Sequence, residues 1–159
     1  MTMKISLLLT GKTDTAYLPE GMAIYEERIK RYANYTRIEL PELKKAASLS
    51  FAEIKQREGE MILKQVKAQD DLILLDVSGK SISSEDLAQF IEKRGVQGTK
   101  GLVFVVGGAY GFSDDVYKRA NYRISLSPMT FSHQIVRLLF LEQLYRAFTI
   151  IKGEPYHHG

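Results

Sequence analysis

Three apolar runs in the 159-residue chain end in stretches of small or turn-forming residues: LLDVSGK at 74–80, VVGGAYGF at 105–112 and LSPMTF at 126–131. In a parallel sheet such stretches share the carboxyl edge, where ligands bind at a crossover of strand order. Gly107 and Gly108 follow a buried run, and without a Cβ they let a ligand approach the backbone; Gly111 permits a positive φ. The same glycine pair also suits a plain tight turn between strand and helix. The third stretch follows strand-like residues 122–126 and precedes a long amphipathic pattern that starts at Ser132 or His133. A strand, a polar loop and a helix start make a natural ligand seat. Two nucleotide motifs are excluded by spacing. GGAYGF has Ala109 where a dinucleotide fingerprint requires glycine, and no helix pattern follows at once; Gly79-Lys80-Ser81 lacks the first glycine of a phosphate-cradling loop.

The groups able to move a proton or hold a phosphate gather towards the C-terminus. His133, Arg137, Arg146 and the tail GEPYHHG supply imidazoles and guanidiniums to one region. Glu142 and Arg146 stand four apart in the favourable order, which on its own is an ordinary surface ion pair. With no cysteine and three histidines, disulfides, thiolate zinc sites and cysteine nucleophiles are excluded, and an all-nitrogen metal site has little scope. No metal is expected.

These residues need a scaffold, and the hydrophobic periodicity supplies one. Residues 4–9 and YTRIEL read as strands, and Leu18, Met22, Tyr25, Ile29 and Tyr32 recur at helical spacing between them. Ser50, with Glu53 three residues on, caps a helix whose apolar face carries Phe51, Ile54, Met61, Ile62 and Val66. DDLILLDVSGK is a near-continuous apolar run closed by turn residues, as expected of a strand buried on both faces. SSEDLAQFIEKRG predicts a capped helix ending at Gly95, GLVFVVGG a second buried strand, and SDDVYKRAN a brief helix from Ser113 or Asp114. ELKKAASLS, residues 42–50, is the most loop-like stretch and the one expected to be least ordered. The alternation predicts an α/β fold in one domain over residues 1–159: a mostly parallel sheet flanked by helices. Composition is 45% hydrophobic with a formal charge of +3, and no apolar run is long enough to cross a membrane or form a signal segment, which points to a cytoplasmic protein.

GGAYGFS, LSPMTFSHQIVRLLFLEQLYRA and GEPYHHG, together with MKISLLLTGK and REGEMIL, resemble the RlmH family along the whole chain. These are the SPOUT-class methyltransferases that modify pseudouridine in 23S ribosomal RNA. The resemblance implies an α/β knot with a C-terminal trefoil knot, against the usual avoidance of threading. It implies S-adenosylmethionine as cofactor, held by Leu75, Gly107 and the loop Leu126, Ser127, Pro128, Met129, Thr130 and Phe131, with Leu75, Leu126 and Met129 sandwiching the adenine. It implies methylation of N3 of a pseudouridine, on the large subunit or the assembled ribosome. A base or solvent must take the N3 proton; Arg146, His157 and His133 are the candidate catalytic groups. A homodimer is expected, since Leu138, Phe140, Leu141 and Leu144 cover much of the final helix. The tail is expected to leave the helix at Gly153 and turn towards the ligand loops, with Tyr156 stacking on a base. A SPOUT enzyme acting on another RNA base, or a non-catalytic ribosome-binding factor, are the competing readings.

Overall fold

The computed structural model describes residues 3–159. The elements run β1 (Lys4–Thr10), α1 (Leu18–Ile29), β2 (Asn34–Leu40), α2 (Phe51–Lys64), β3 (Asp70–Ser81), α3 (Ser84–Val96), β4 (Gly101–Val106), α4 (Asp114–Arg119), β5 (Tyr122–Ser125) and α5 (Ile135–Lys152). The strands form one sheet in the order β2-β1-β4-β3-β5, and every neighbouring pair is parallel.

Alternation along the strands divides the core into two layers. Ile5, Leu7, Leu9, Ile73, Phe104 and Val106 face α1, α3 and α5. Leu8, Leu72, Leu74, Val103 and Val105 face α2 and α4. β4 is buried at all its positions, as the apolar run GLVFVV requires of a central parallel strand. Each such side chain contributes about 1.5–3 kcal/mol relative to exposure. The capping box of α2 is present as the sequence predicts, Ser50 and Glu53 each accepting the other's backbone N–H. Ser83 and Asp86 repeat it on α3.

Several boundaries depart from expectation. α3 continues through Val96, because the left-handed residue that ends it is Gly98 (φ +81°) rather than Gly95; the Thr99 N–H reaches back to the Arg94 carbonyl. Tyr32 lies beyond α1 and stacks on Phe148 at 5.6 Å. Phe51 is 64% exposed and Val66 lies past the end of α2, so only Ile54 and Ile62 of that predicted apolar face are buried. Segment 42–50 is not structureless: it holds a 3₁₀ turn over Ala46–Ser48, entered through Lys45 in the left-handed region (φ 57°). Turn residues do not close β3. The strand bulges between Leu75 and Lys80 and then resumes pairing with β5. Regular α5 starts at Ile135, although Ser132 does the capping: its hydroxyl and carbonyl accept the N–H groups of Ile135 and Val136.

Phe140, Leu141 and Leu144 are fully buried within the single chain. The breadth of that apolar surface therefore gives no ground for a second copy. Among the described residues no helix is long and apolar enough to cross a membrane.

Candidate active site

The order β4-β3-β5 brings the three loops that the sequence singles out to one edge. They enclose a cleft of about 460 Å³. Its walls are the β3 bulge (Leu75, Asp76, Val77), the glycine loop after β4, and Leu126, Ser127, Met129, Thr130 and Phe131 after β5. His133 lines the cleft too. Seven of the eight residues expected to hold a cofactor thus meet at one cleft; Pro128 alone is not on its wall.

Local hydrogen bonds set each loop. Gly111 takes a φ of +83° and donates its N–H to the Gly108 carbonyl, closing the tight turn. Ser127 shapes the third loop: its hydroxyl accepts the Met129 N–H at 3.0 Å, and its carbonyl accepts the hydroxyl of buried Ser125 at 2.8 Å. In the bulge, Asp76 accepts from the hydroxyls of Tyr117 and Ser78, both at 2.7 Å. Burial raises its pKa, but these bonds and the Arg123 charge outweigh burial and hold the carboxyl below its ordinary range. The same contact and burial push the Tyr117 hydroxyl up to about 12. Sequence reading missed Asp76, although its place at the end of LILLD was the available signal.

Arg137 anchors the loops from behind. It is fully buried, and among the described residues no carboxylate lies within ion-pair distance of its guanidinium. Instead it donates to the carbonyls of Thr10, Gly11 and His133 at 3.0, 3.1 and 3.2 Å and to the Thr13 hydroxyl at 2.7 Å. Burial lowers its pKa. One side chain therefore fastens the loop after β1 to the loop that opens α5.

Arg146 and His157 are brought together, but apart from His133. Gly153 (φ +70°) ends α5 as expected, and the tail then folds back on α5 and the first turn of α3. Arg146 donates to Nδ1 of His157 at 3.1 Å, and Nε2 of His157 meets Glu85 at 2.8 Å. A neutral ring with its proton on Nε2 satisfies both contacts. Glu142 accepts from Arg146 at 2.7 Å and from Tyr156 at 2.8 Å. The Tyr156 ring packs on Tyr145 and under the Arg146 guanidinium. The tail therefore does not reach the cleft. It sits beside a neighbouring groove that shares Leu126, Ser127 and Phe131 with the cleft and extends to Glu142. Val136, on the cleft wall, and Arg146 are about 15 Å apart along α5, at roughly 1.5 Å per residue. Among the described residues no group of three His, Cys, Asp or Glu side chains could hold a metal ion.

An all-parallel α/β sheet whose strand-end loops enclose a mostly apolar cleft defines a protein built to hold a small organic ligand at its carboxyl edge. Residues 3–157 match the family model described as "Predicted SPOUT methyltransferase", and the chain belongs to that family. It is 52% identical to a protein of Christiangramia forsetii over 156 residues, covering 98% of this chain and 99% of that one. It is 49% identical to one from Parabacteroides distasonis and 46% identical to one from Alkaliphilus oremlandii, over 98% of this chain and 99% of each relative. All three relatives are named ribosomal RNA large subunit methyltransferase H. The resemblance read from the sequence motifs is thereby borne out at the level of family.

Proposed function

We propose that this chain is an S-adenosylmethionine-dependent methyltransferase of large-subunit ribosomal RNA, acting on N3 of a pseudouridine in 23S rRNA on the assembled ribosome. The observation that carries the reading is the convergence of the three strand-end loops on one cleft in a chain of this family. The residues fit the cofactor. Leu75, Val106, Leu126, Met129 and Phe131 offer apolar walls for a purine, while backbone at Gly107, Ser127 and Thr130 offers hydrogen bonds to its edge and to the ribose. Pro128 fixes the turn of the third loop from outside the wall. When bound, the cofactor supplies a methyl group on a positively charged sulfur.

The whole chain acts as one cytoplasmic domain. His133 stands on the cleft wall, where an imidazole can take or relay a proton. Arg146 and His157 form a polar cluster whose guanidinium and imidazole suit contact with the RNA backbone or the target base. A homodimer gives that cluster in one copy a cleft to face in the other, which the 15 Å separation (about, along the helix) leaves unmet within one chain.

The test is to incubate ribosomes from cells lacking the protein with purified protein and S-adenosylmethionine, and to map rRNA masses. One added methyl on a pseudouridine is expected. A methyl on another base would move the target, and calorimetric cofactor binding without methylation would leave a non-catalytic binding factor. A second expectation concerns Gly107. A methyl there would fall 2.9 Å from Cε1 and Cζ of the buried Phe112 ring, so the loop rather than the ring must shift. Gly107→Val should weaken cofactor binding at least tenfold and lower the melting temperature together; unchanged calorimetric affinity would remove the glycine loop from the site.

A further inference from the structure

β1 and β4 are neighbours in the sheet but continue to opposite faces. β1 leads into α1, which lies with α3 and α5, and β4 leads into α4, which lies with α2. Such divergence opens a crevice at the strand ends. Here it is a second pocket of about 350 Å³ between the loop after β1, the 3₁₀ segment, α2 and the glycine loop. It adjoins the cofactor cleft, and Gly108, Ala109 and His133 line both.

Glu58, on α2, forms part of this pocket's wall. Two glycines bring its carboxyl there. Gly59 lets α2 sit against the Ser113 hydroxyl, into which any Cβ at that position would run. Gly108 leaves the carboxyl its space: a methyl there would fall 2.8 Å from Oε1 and 2.9 Å from Oε2. Oε1 is covered from solvent and has no hydrogen-bond donor among the described residues. Desolvation raises the pKa of this group with nothing to offset it. A half-buried carboxyl with one oxygen left without a donor is costly, and an N–H brought to the carboxyl where it lines the pocket offsets part of that cost. Asp14 and Glu42, also on the wall, are exposed to water. On the wall too, Tyr110 stacks on exposed Phe51 with ring centroids 4.2 Å apart, a surface on which a nucleobase can stack.

We propose that this pocket seats the target nucleobase and that Glu58 is the specificity-determining group that accepts the N1–H of pseudouridine; the inference rests on the methyltransferase reading above. N1 of uridine carries the ribose and has no hydrogen, whereas N1 of pseudouridine is free and bears one. An acceptor gripping N1–H leaves N3 open to the methyl group. A site built to accept a particular N–H rejects the analogue that lacks it far more strongly than an apolar pocket rejects a missing methylene.

The test compares wild type, Glu58→Ala and Glu58→Gln on ribosomes carrying either pseudouridine or uridine at the target, alongside calorimetry with S-adenosylmethionine and thermal melting. In Glu58→Ala the rate on pseudouridine should fall at least tenfold. The slow rate on uridine, the cofactor Kd and the melting temperature should stay near wild type, so that discrimination collapses. Glu58→Gln keeps a carbonyl acceptor and should fall between. Undiminished discrimination in Glu58→Ala overturns the proposal. So does a cofactor Kd weakened by the same factor as the rate, which would assign Glu58 to the cofactor. Wild type that binds no cofactor or methylates neither substrate overturns the methyltransferase reading itself, and the proposal with it.

Discussion

Replacing Arg137 by methionine should lower the free energy of unfolding by about 3–5 kcal/mol, the largest stability loss expected from one polar side chain here. Methionine keeps the apolar stem, so the loss isolates the guanidinium. Without it, the carbonyls of Thr10, Gly11 and His133 and the Thr13 hydroxyl lose a donor. Each orphaned buried acceptor costs about 1–3 kcal/mol, and water relieves part of that at the half-buried Gly11 and His133. The Thr13 hydroxyl also donates to Glu39 at 3.0 Å, so the disturbance spreads to the end of β2. Arg137→Lys should recover only part of the loss, because an ammonium cannot reproduce a fork spread over four acceptors. Because this residue fastens the loops on either side of His133, cofactor affinity should fall as well. Urea unfolding with an unchanged m value measures the effect, and a loss below about 1 kcal/mol would show that solvent replaces the guanidinium easily.

How far Arg137 was legible in the sequence illustrates the division between pattern and packing. An arginine on an apolar helix reads as a snorkelling surface residue until the four acceptors, from Thr10 at the end of β1, Gly11 and Thr13 in the loop after it and His133 at the α5 entry, are seen around it. Outside Leu72, Ile73 and Leu74, β3 is half-buried or exposed; two-sided burial was legible in those residues and throughout β4, because it leaves an apolar run that no alternating strand shows. The bulge at residues 76–79 was not, since residues that turn a chain also serve to push a strand out of register. Cleft membership of Leu75, Gly107 and residues 126–131, Pro128 apart, followed from loop chemistry and from resemblance together. Glu58 lies in REGEMIL, which carries the resemblance, but its placement on a pocket wall was not legible. Its meaning depends on Gly108, fifty positions away, and on the want of a donor, neither of which local sequence encodes.

Deleting residues 154–159 should abolish methyl transfer to ribosomes, by roughly 100-fold or more, while leaving cofactor affinity and the proposed dimer intact. The tail is tied down rather than frayed. Tyr32 donates to both Glu154 oxygens at 3.0 and 2.8 Å, Tyr156 to Glu142, and His157 bridges Glu85 and Arg146. These ties are exposed or only part-buried, where such contacts stabilise modestly, so the melting temperature should drop by no more than roughly 4 °C. Arg146 keeps its Glu142 contact without the tail but loses the Tyr156 ring and the His157 nitrogen that hold its free face. A cluster that costs little to remove from the fold, yet fixes a guanidinium and an imidazole with both nitrogens engaged, makes sense as part of the RNA-facing surface. Sedimentation should show the same assembly for both proteins at micromolar concentration, and calorimetry the same cofactor Kd within about twofold, in contrast to the Arg137 variant, where both stability and affinity fall. If the shortened protein is a monomer where the full chain is a dimer, the tail acts through assembly rather than at the base. If it methylates at the normal rate, His157 has no part in the reaction, and the group that takes the N3 proton is His133, on the cleft wall, or solvent.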